Sequence, residues 1–425
     1  MSVQVKTPEK LPEITRRAVR TACCGTLGAV HLQIPEDILQ AEIDPARVSL
    51  NIEEDCKTFP AYPTRPAAGL VERLNLPVCT TMTGQGTTPN DHRRSIGVIS
   101  DNGYHAHAKR AMEASEFVLF VGSRMGSVVT IAWTFPRLAL NKRMAQIDIN
   151  PEAIGIKCAN AFLLKGDAAF VLKELLVAML EASDTERLAP WVDHLNGLRA
   201  VFWENAQALL TNDSTSLRPE RAVLCFNEAL DASGQPAQIY AEAGTQAPHM
   251  TRFLKINDRG TRFAIPRAFG GIGSALLANM GAWRADPTRR PIGLFGDGSF
   301  AVSVGALKAL VRRQVSPILI LFDNGAFGWI KGLHRLSGHK RCFGVGFTPP
   351  KGQAVAEAFD LKAWTATVAA SLDAGLAEAF AWRKGPSFID IRVESIADRV
   401  PSVYSWMMKR GRDPLALEAA DVAYL

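Results

Sequence analysis

Short apolar runs of four to six residues alternate along the chain with longer amphipathic stretches. This alternation is typical of β-α-β units around a parallel sheet, whose strands are covered on both faces and therefore apolar throughout. In the first half, the pattern predicts buried strands at 76–80 and 117–122, further strands at 144–149 and 162–164, and helices at 104–114 and 167–180.

The second half shows the same alternation after a polar stretch, 182–216, which contains Trp191 and Trp203 and which we interpret as an interdomain helix plus linker. Pro219 can open a helix, because its fixed φ suits the first helical turn. The predicted elements that follow are a helix to residue 230, strands at 238–241, 291–295 and 317–322, a glycine-rich turn and helix at 270–281, and a helix at 303–313.

Composition narrows the class of protein. Hydrophobic residues make up 47% and charged residues 21% of the chain, as in ordinary globular proteins. A net charge of +6 with scattered basic residues argues against nucleic-acid binding. No apolar run approaches the ~18 residues that span a bilayer, and residues 1–12 lack the apolar core of a secretory signal. Seven cysteines without a Cys-x-x-Cys pair favour reduced thiols, so we expect a cytoplasmic protein without membrane contact.

The segment from 292 to 328 carries the most specific chemistry: a strand, a Gly-Asp-Gly turn, a helix, and a second strand ending in Asp-Asn-Gly. A right-handed crossover would place Asp297 and Asn324 at the same edge of the sheet, where open α/β sheets bind ligands. A carboxylate, an amide oxygen and a main-chain carbonyl form the hard oxygen set that Mg²⁺ prefers. A turn that merely connects strand and helix is the alternative, but Asn324 at the end of the very next strand favours the metal site.

This motif resembles the diphosphate-binding motif of thiamine-diphosphate enzymes, and its surroundings resemble the acetolactate synthase and 2-oxo acid decarboxylase group. The resemblance implies thiamine diphosphate and Mg²⁺ as cofactors, with Asp297, Asn324 and the main-chain oxygen of Ala326 holding the metal. Family members commonly have Asn where this chain has Asp323. Two further stretches, Glu242 to Thr245 and 269–273, resemble the loops that contact the diphosphate and bend the cofactor. Ile272 would prop the cofactor, with core packing as the alternative. The cofactor-binding residues implied are Glu242, Gly244, Thr245, Gly271, Ile272, Gly296, Asp297, Gly298, Ser299, Asn324, Ala326 and Phe327.

The first half is similar to the middle domain of the same family. We therefore expect an α/β fold with two Rossmann-like, doubly wound parallel-sheet domains. In some relatives the middle domain holds FAD; here a structural role is favoured over a flavin site. The predicted division is an N-terminal helix and lead-in at 1–27, the middle domain at 28–181, the interdomain helix and linker at 182–216, the diphosphate-binding domain at 217–399, and a tail or lid at 400–425.

The resemblance does not extend to the family's pyrimidine-binding domain, which normally supplies an activating glutamate. We expect a separate polypeptide to supply it in a hetero-oligomer with at least two copies of each chain. The predicted activity is decarboxylation of a 2-oxo acid and transfer of the resulting acyl carbanion to a second carbonyl, as in acetolactate synthase. The alternatives are a simple 2-oxo acid decarboxylase and a non-catalytic or regulatory cofactor-binding subunit.

Residues beyond the metal loop are the candidates for contact with substrate. Trp329, His334 and His339 follow it and are the predicted catalytic candidates, with solvated surface histidines as the alternative. A set of arginines between the two cofactor loops could attract an anionic substrate or form a solvated basic loop: Arg252, Arg259, Arg262 and Arg267. The segment 400–412, with Tyr404 and Trp406, could cover the site or pack on its own domain.

Overall fold

A computed structural model of the protein describes residues 2–23, 29–44, 48, 71–136, 143–155, 161–180, 185–213, 217–256, 260–266, 270–339, 341–394 and 403–411. The strands in these ranges are β1 (Ser2–Gln4), β2 (His31–Gln33), β3 (Val78–Thr81), β4 (Ser95–Ile99), β5 (Phe117–Val121), β6 (Arg143–Asp148), β7 (Ala161–Lys165), β8 (Ala237–Ala241), β9 (Arg262–Ala264), β10 (Arg290–Gly296), β11 (Ile318–Asp323), β12 (Lys362–Ala366) and β13 (Ser387–Arg392). The α-helices are α1 (Leu11–Cys23), α2 (Glu36–Gln40), α3 (Ala106–Ala114), α4 (Ala168–Leu180), α5 (Ala189–Leu210), α6 (Pro219–Ser233), α7 (Gln246–Phe253), α8 (Ala275–Ala285), α9 (Asp297–Ser303), α10 (Ala306–Arg312), α11 (Gly328–Leu336), α12 (Gly352–Ala358), α13 (Ala369–Ala381) and α14 (Tyr404–Lys409).

The named strand pairs are all parallel, which confirms the predicted α/β class. Two differences concern the predicted helices. The helix expected at 303–313 is the shorter α10, and a separate short helix, α9, begins at Asp297 where the sequence predicted a turn. The helix opened by Pro219 runs to Ser233 and ends at Gly234, whose φ of 62° gives the left-handed turn that closes many helices.

The largest sheet has the strand order β12-β13-β11-β10-β8-β9. Its side chains alternate between two hydrophobic clusters, as the period of two along a strand requires. On β11, Ile318, Ile320 and Phe322 belong to one cluster, shared with α5, α6, α7 and α13. Leu319 and Leu321 belong to the other, shared with α8, α9, α10 and α12. Each such fully buried side chain contributes about 1.5–3 kcal/mol, so helices on both faces hold the sheet and fix its edges.

The chain forms two compact units. The first comprises residues 1–66, 117–124 and 143–178, and contains the sheets β1-β2 and β5-β6-β7. The second comprises the remaining residues, including the large sheet and the two-stranded sheet β3-β4. The boundaries proposed from the sequence stay predictions, and the sites described below lie within the second unit.

Strand β5 in the first unit is less buried than its apolar sequence predicted. Phe117 is 50% exposed and Val121 is 38% exposed. Among the described residues β5 pairs with β6 alone, so it is an edge strand, and an edge position leaves its side chains with fewer neighbours.

The second unit encloses an unusual buried amine, that of Lys109 on α3. Its side chain is fully buried, and Nζ lies 4.3 Å from the ring centroid of Phe135, 4.5 Å from that of Tyr404 and 5.5 Å from that of Tyr104. No described residue accepts a hydrogen bond from this nitrogen. Burial lowers the pKa of Lys109 to about 7, although the charge of Asp101 raises it. The amine is therefore held by aromatic faces rather than by an ion pair.

Candidate functional site

The candidate site lies at the carboxyl ends of β8, β10 and β11. Strands β10 and β11 pair so that Gly296 is opposite Phe322, which brings the residues that follow each strand together. Asp297 begins α9, and Asn324 follows Asp323, the last residue of β11. The structure thus brings Asp297 and Asn324 to one edge, as their spacing predicted.

The carboxylate of Asp297 joins the two strand ends through main-chain hydrogen bonds. Its Oδ2 accepts from the backbone N–H groups of Asn324 at 3.1 Å, Gly325 at 2.7 Å and Ala326 at 3.3 Å. Its Oδ1 accepts from the N–H of Gly298 at 2.7 Å. Burial raises the pKa of Asp297 to about 6, while the Gly298 N–H lowers it and the neighbouring Asp323 raises it. This carboxylate is a structural element of the loop as well as a candidate ligand.

The loop after β11 is held in one conformation by further backbone contacts. Asn324 Oδ1 accepts from the N–H of Ala326 at 3.0 Å, and Gly325 adopts a φ of 68°, which favours glycine. Residues 345–347 run alongside, because the Phe327 N–H donates to the Val345 oxygen at 2.8 Å and the Phe347 N–H to the Gly325 oxygen at 3.2 Å. Nδ2 of Asn324 donates to Oγ1 of Thr245 at 3.4 Å, which links this loop to the end of β8.

The stretch after β8 is fixed by the buried carboxylate of Glu242. Oε1 of Glu242 accepts from both the N–H and the hydroxyl of Ser274, the residue before α8. Gly244 has a φ of 152°, and a Cβ there would lie 3.0 Å from Nε2 of Gln246. That amide donates to the main-chain oxygen of Glu242 at 3.0 Å. Glu242 therefore joins the predicted diphosphate loop, which follows β8, to the loop that contains Ile272, which we call the prop loop.

The prop loop leaves Ile272 exposed beside the loop contacts just described. Ile272 is 43% exposed, so core packing, the alternative for this residue, is not what the structure shows. The N–H of Gly273 donates to Oγ of Ser299 at 3.1 Å, which fixes the loop to the start of α9. Gly271 precedes Ile272 in this loop, and Phe269 lies outside the described residues.

These residues fit a diphosphate–magnesium group on two observations. Asp297 Oδ1 and Asn324 Oδ1 each accept one hydrogen bond from the described residues and keep a lone pair for a cation. The glycines let side chains of the site pack against the backbone: a Cβ on Gly298 would lie 2.8 Å from Cδ1 of Phe327, and one on Gly328 would lie 2.9 Å from Nδ2 of Asn324. Within the described ranges, no group of three His, Cys, Asp or Glu side chains could hold a metal, and the shell expected here uses one carboxylate alone.

The three predicted catalytic candidates occupy different environments. The Trp329 ring packs against Trp406 at 4.7 Å between centroids, in a cluster with Val403, Leu333 and Leu336. The rings of His334 and His339 lie 6.0 Å apart. They stand at the C-terminal end of α11, whereas the loop after β11 leads into its N-terminal end. Catalytic roles for these residues stay predictions. The described part of the 400–412 segment packs through Trp406, which is buried.

The solvated basic loop, one of the two alternatives for the arginines, is wrong for Arg252. This residue is buried rather than part of a solvated basic loop, with its guanidinium carbon 5.0 Å from the ring of Phe202, 5.5 Å from Tyr104 and 5.6 Å from Phe253. Arg262 is exposed on β9, while Arg259 and Arg267 lie outside the described residues.

We call the pair Asp297 and Asn324 the clamp. The ion pairs next to it were not predicted from the sequence. Arg392, at the end of β13, pairs with Asp323 through Nη1 and with Asp390 through Nη2, the latter at 2.9 Å. Both carboxylates are almost fully buried, and burial raises the pKa of Asp390 against the opposing effect of Arg392. The feature of the sequence that could have indicated these pairs is the position of Arg392 at a strand end. It is informative only once β13 is known to be the neighbour of β11.

Comparison with known proteins matches both halves of the chain. Residues 64–175 match the family model described as "Thiamine pyrophosphate enzyme, central domain", and residues 242–391 match "Thiamine pyrophosphate enzyme, C-terminal TPP binding domain".

Within the described ranges, no helix is long and apolar enough to cross a membrane.

Individual relatives support the same match. The chain is 28% identical to a probable acetolactate synthase large subunit of Methanocaldococcus jannaschii, over 77% of this chain and 60% of that protein. It is 25% identical to the protein of the same name in Methanococcus aeolicus, over 85% of this chain and 66% of that protein. It is also 25% identical to the acetolactate synthase large subunit of Corynebacterium glutamicum, over 77% of this chain and 56% of that protein. The chain thus spans less than two thirds of the length of these relatives.

Proposed function

The chain belongs to the thiamine pyrophosphate enzymes, and we propose that it holds the diphosphate and Mg²⁺ of this cofactor in an enzyme that acts on 2-oxo acids. The observation that supports this role is the geometry of Asp297, which joins the ends of β10 and β11 and keeps one carboxylate oxygen available for a cation.

Each residue of the clamp has a distinct part in this proposal. Asp297, Asn324 and the main-chain oxygen of Ala326 hold Mg²⁺, whose remaining ligands are water and phosphate oxygens. Gly296, Gly298 and Ser299 let the backbone approach the phosphates, and Thr245 and Gly244 line the facing loop. When bound, the thiazolium ring of the cofactor supplies the carbon that adds to the carbonyl of the substrate. Ile272 and Phe327, 43% and 40% exposed, offer the apolar surface that supports the cofactor and keeps water from the reacting atoms.

The activating carboxylate belongs, in this proposal, to a pyrimidine-binding domain rather than to Glu242. Glu242, the buried glutamate of the site, is committed to the N–H and hydroxyl of Ser274. The relatives are named large subunits, which supports a second, smaller chain and a hetero-oligomer. Co-purification of the natural complex tests this point. Recovery of full cofactor-dependent activity from this chain alone contradicts it.

The reaction we propose is decarboxylation of a 2-oxo acid followed by transfer of the acyl unit to a second carbonyl. The names of the relatives, acetolactate synthases, support carboligation over simple decarboxylation. A product assay on the assembled enzyme separates the two, because carboligation consumes two carbonyl substrates for each carbon dioxide released, whereas simple decarboxylation consumes one.

The central test replaces Asp297. Asp297→Ala removes a metal ligand and takes an acceptor from four backbone N–H groups, so we expect Mg²⁺-dependent binding of thiamine diphosphate to be lost. The N–H groups of Gly325 and Ala326 keep a second acceptor, whereas those of Gly298 and Asn324 lose the one described. Asp297→Asn keeps an acceptor oxygen but removes the charge, and we expect it to fold and to bind the cofactor at least tenfold more weakly. Calorimetry on the natural assembly measures both. Asp231→Ala, on the exposed face of α6, is the matched control. Unchanged affinity in Asp297→Asn would sink the assignment.

A further inference from the structure

The second unit contains a polar cavity at the edge of the large sheet opposite the clamp. Its volume is about 210 Å³. It opens where β8, β10 and β11 begin, since Pro236, Arg290 and Ser316 lie at or just before the first residues of these strands. Its lining includes Gln235, Thr288, Arg289, Arg290, Ser316 and Arg383.

Three of the lining residues are arginines, and no lining residue is acidic. Arg289 is already neutralised, because Nη1 pairs with Asp286 and Nε donates to the Gly260 oxygen at 2.7 Å. Arg383 is exposed and donates through Nη2 to the uncharged Gln235. The cavity therefore carries positive charge that its own lining does not balance.

Arg290 is the buried member of this set, with 5% of its surface exposed. Its Nη2 donates to the main-chain oxygens of Ala379 at 3.2 Å and Trp382 at 2.7 Å, at the end of α13. Its Nε and Nη1 have no hydrogen-bond partner among the described residues. Burial lowers the pKa of Arg290 to about 10, and the nearby charge of Arg383 acts in the same direction. A buried guanidinium with unused N–H groups beside a second cation is unfavourable unless an anion accompanies it.

We propose that this cavity binds a small doubly charged oxyanion of the phosphate class, between Arg290 and Arg383. Guanidinium groups match phosphate oxygens with paired, charge-assisted hydrogen bonds. The amide of Gln314 lines the same space, as do Thr288 and Ser316, whose hydroxyls donate to Asp286 and to the main-chain oxygen of Arg383, so the arginines supply the free donors. The volume suits inorganic phosphate or the phosphate group of a small ester, since it is below the ~300 Å³ at which pockets for larger ligands begin.

The site is distinct from the clamp that we assign to the diphosphate of the cofactor. Arg290 begins β10 and Gly296 ends it, so the length of this strand separates the two sites by about 20 Å at ~3.3 Å per residue. An anion bound in the cavity does not compete for Asp297 or Asn324.

The test is calorimetric titration of inorganic phosphate into the full chain, at fixed chloride concentration and with thiamine diphosphate and Mg²⁺ present in excess. We expect saturable binding that Arg383→Gln weakens at least tenfold, because Arg383 is exposed and its loss leaves the fold intact. Arg290→Gln should weaken binding at least as much. Arg312→Gln removes the same charge from an exposed position on α10 that does not line the cavity, and should change the affinity less than twofold.

Further titrations separate the sources of the anion. Tighter binding of a small phosphate ester than of free phosphate identifies an esterified ligand, and the reverse identifies inorganic phosphate; both support the site. Equal affinity in wild type and Arg383→Gln overturns the proposal, as does equal weakening in Arg383→Gln and Arg312→Gln, which would indicate general screening. Binding that disappears in excess thiamine diphosphate overturns it too, because phosphate would then occupy the clamp.

Discussion

Replacing Lys109 by methionine should make the protein more stable at neutral pH. The amine is fully buried against the rings of Phe135, Tyr404 and Tyr104, and no described residue accepts a hydrogen bond from it. Methionine has nearly the same length and fills the same space with an uncharged, polarisable side chain. The substitution therefore removes the burial of a charge and keeps the packing.

The size of the effect follows from the lowered pKa of Lys109. A fall from the ordinary 10.5 to about 7 corresponds to about 5 kcal/mol, at 1.36 kcal/mol per pKa unit. This value already includes the contacts between the cation and the rings, so the offset to consider is an imperfect fit of methionine, about 1.5 kcal/mol. We therefore expect Lys109→Met to raise the free energy of unfolding at pH 7 by about 3 kcal/mol.

The gain should depend on pH in a defined direction. Between about pH 7 and pH 10.5 the unfolded chain keeps the proton on this amine, whereas the folded chain releases it. The unfolded state thus binds more protons, so the stability of the wild type rises with pH in this window and the advantage of Lys109→Met shrinks. Below about pH 7 both states are protonated and the advantage is constant.

Urea unfolding of both proteins at several pH values from 6 to 10 measures this difference. Lys362→Met is the matched control, because Lys362 lies over the ring of Trp364 at 5.5 Å but is exposed. The control should change stability by less than about 0.5 kcal/mol at every pH. A destabilised Lys109→Met at pH 7, or a gain that stays constant up to pH 10, would refute the reasoning.

Two glycines give further predictions. In Gly298→Ala the new Cβ would displace the Phe327 ring, so cofactor affinity measured by calorimetry should fall about tenfold or more. The control Gly305→Ala, whose Cβ would have nothing within 4 Å, should bind the cofactor normally. Equal affinity in both variants contradicts the packing argument. Gly103→Ala should lower the free energy of unfolding by roughly 2–4 kcal/mol in urea titrations, because its φ is 73° and its Cβ would lie 2.8 Å from Cβ of Thr251. The control Gly234→Ala, with φ 62° but open space, should lose about 1 kcal/mol, and an equal loss in both would show that crowding is not the cause.

The clamp was predictable from the sequence because its residues depend on local rules. Asp297 and Asn324 each follow an apolar strand, and one right-handed crossover fixes which edge they share. The exposure of Ile272 was predictable for a similar reason, since it stands in a glycine-rich turn. The placement of these residues can therefore be predicted from the neighbouring sequence, with little information about the rest of the chain.

Other features depend on contacts between distant segments, which the sequence pattern does not specify. Arg252 is surrounded by rings from α5 and from the residues just before α3, some 50 and 148 residues earlier in the chain, so its burial could not be anticipated. Arg392 pairs with Asp323 because of the register between β11 and β13. The oxyanion cavity likewise collects residues that precede separate strands.

The four hydrogen bonds to Asp297 have a consequence for how the cofactor arrives. Three of them, from Asn324, Gly325 and Ala326, fix the distance between the ends of β10 and β11 from within the protein, so on the proposed function the loop does not have to become ordered around an incoming ion. Ordering that precedes binding leaves more of the contact energy to appear as affinity. On the proposed function, loss of the cofactor would leave these hydrogen bonds in place, so we expect the loop to be ready to bind the cofactor again.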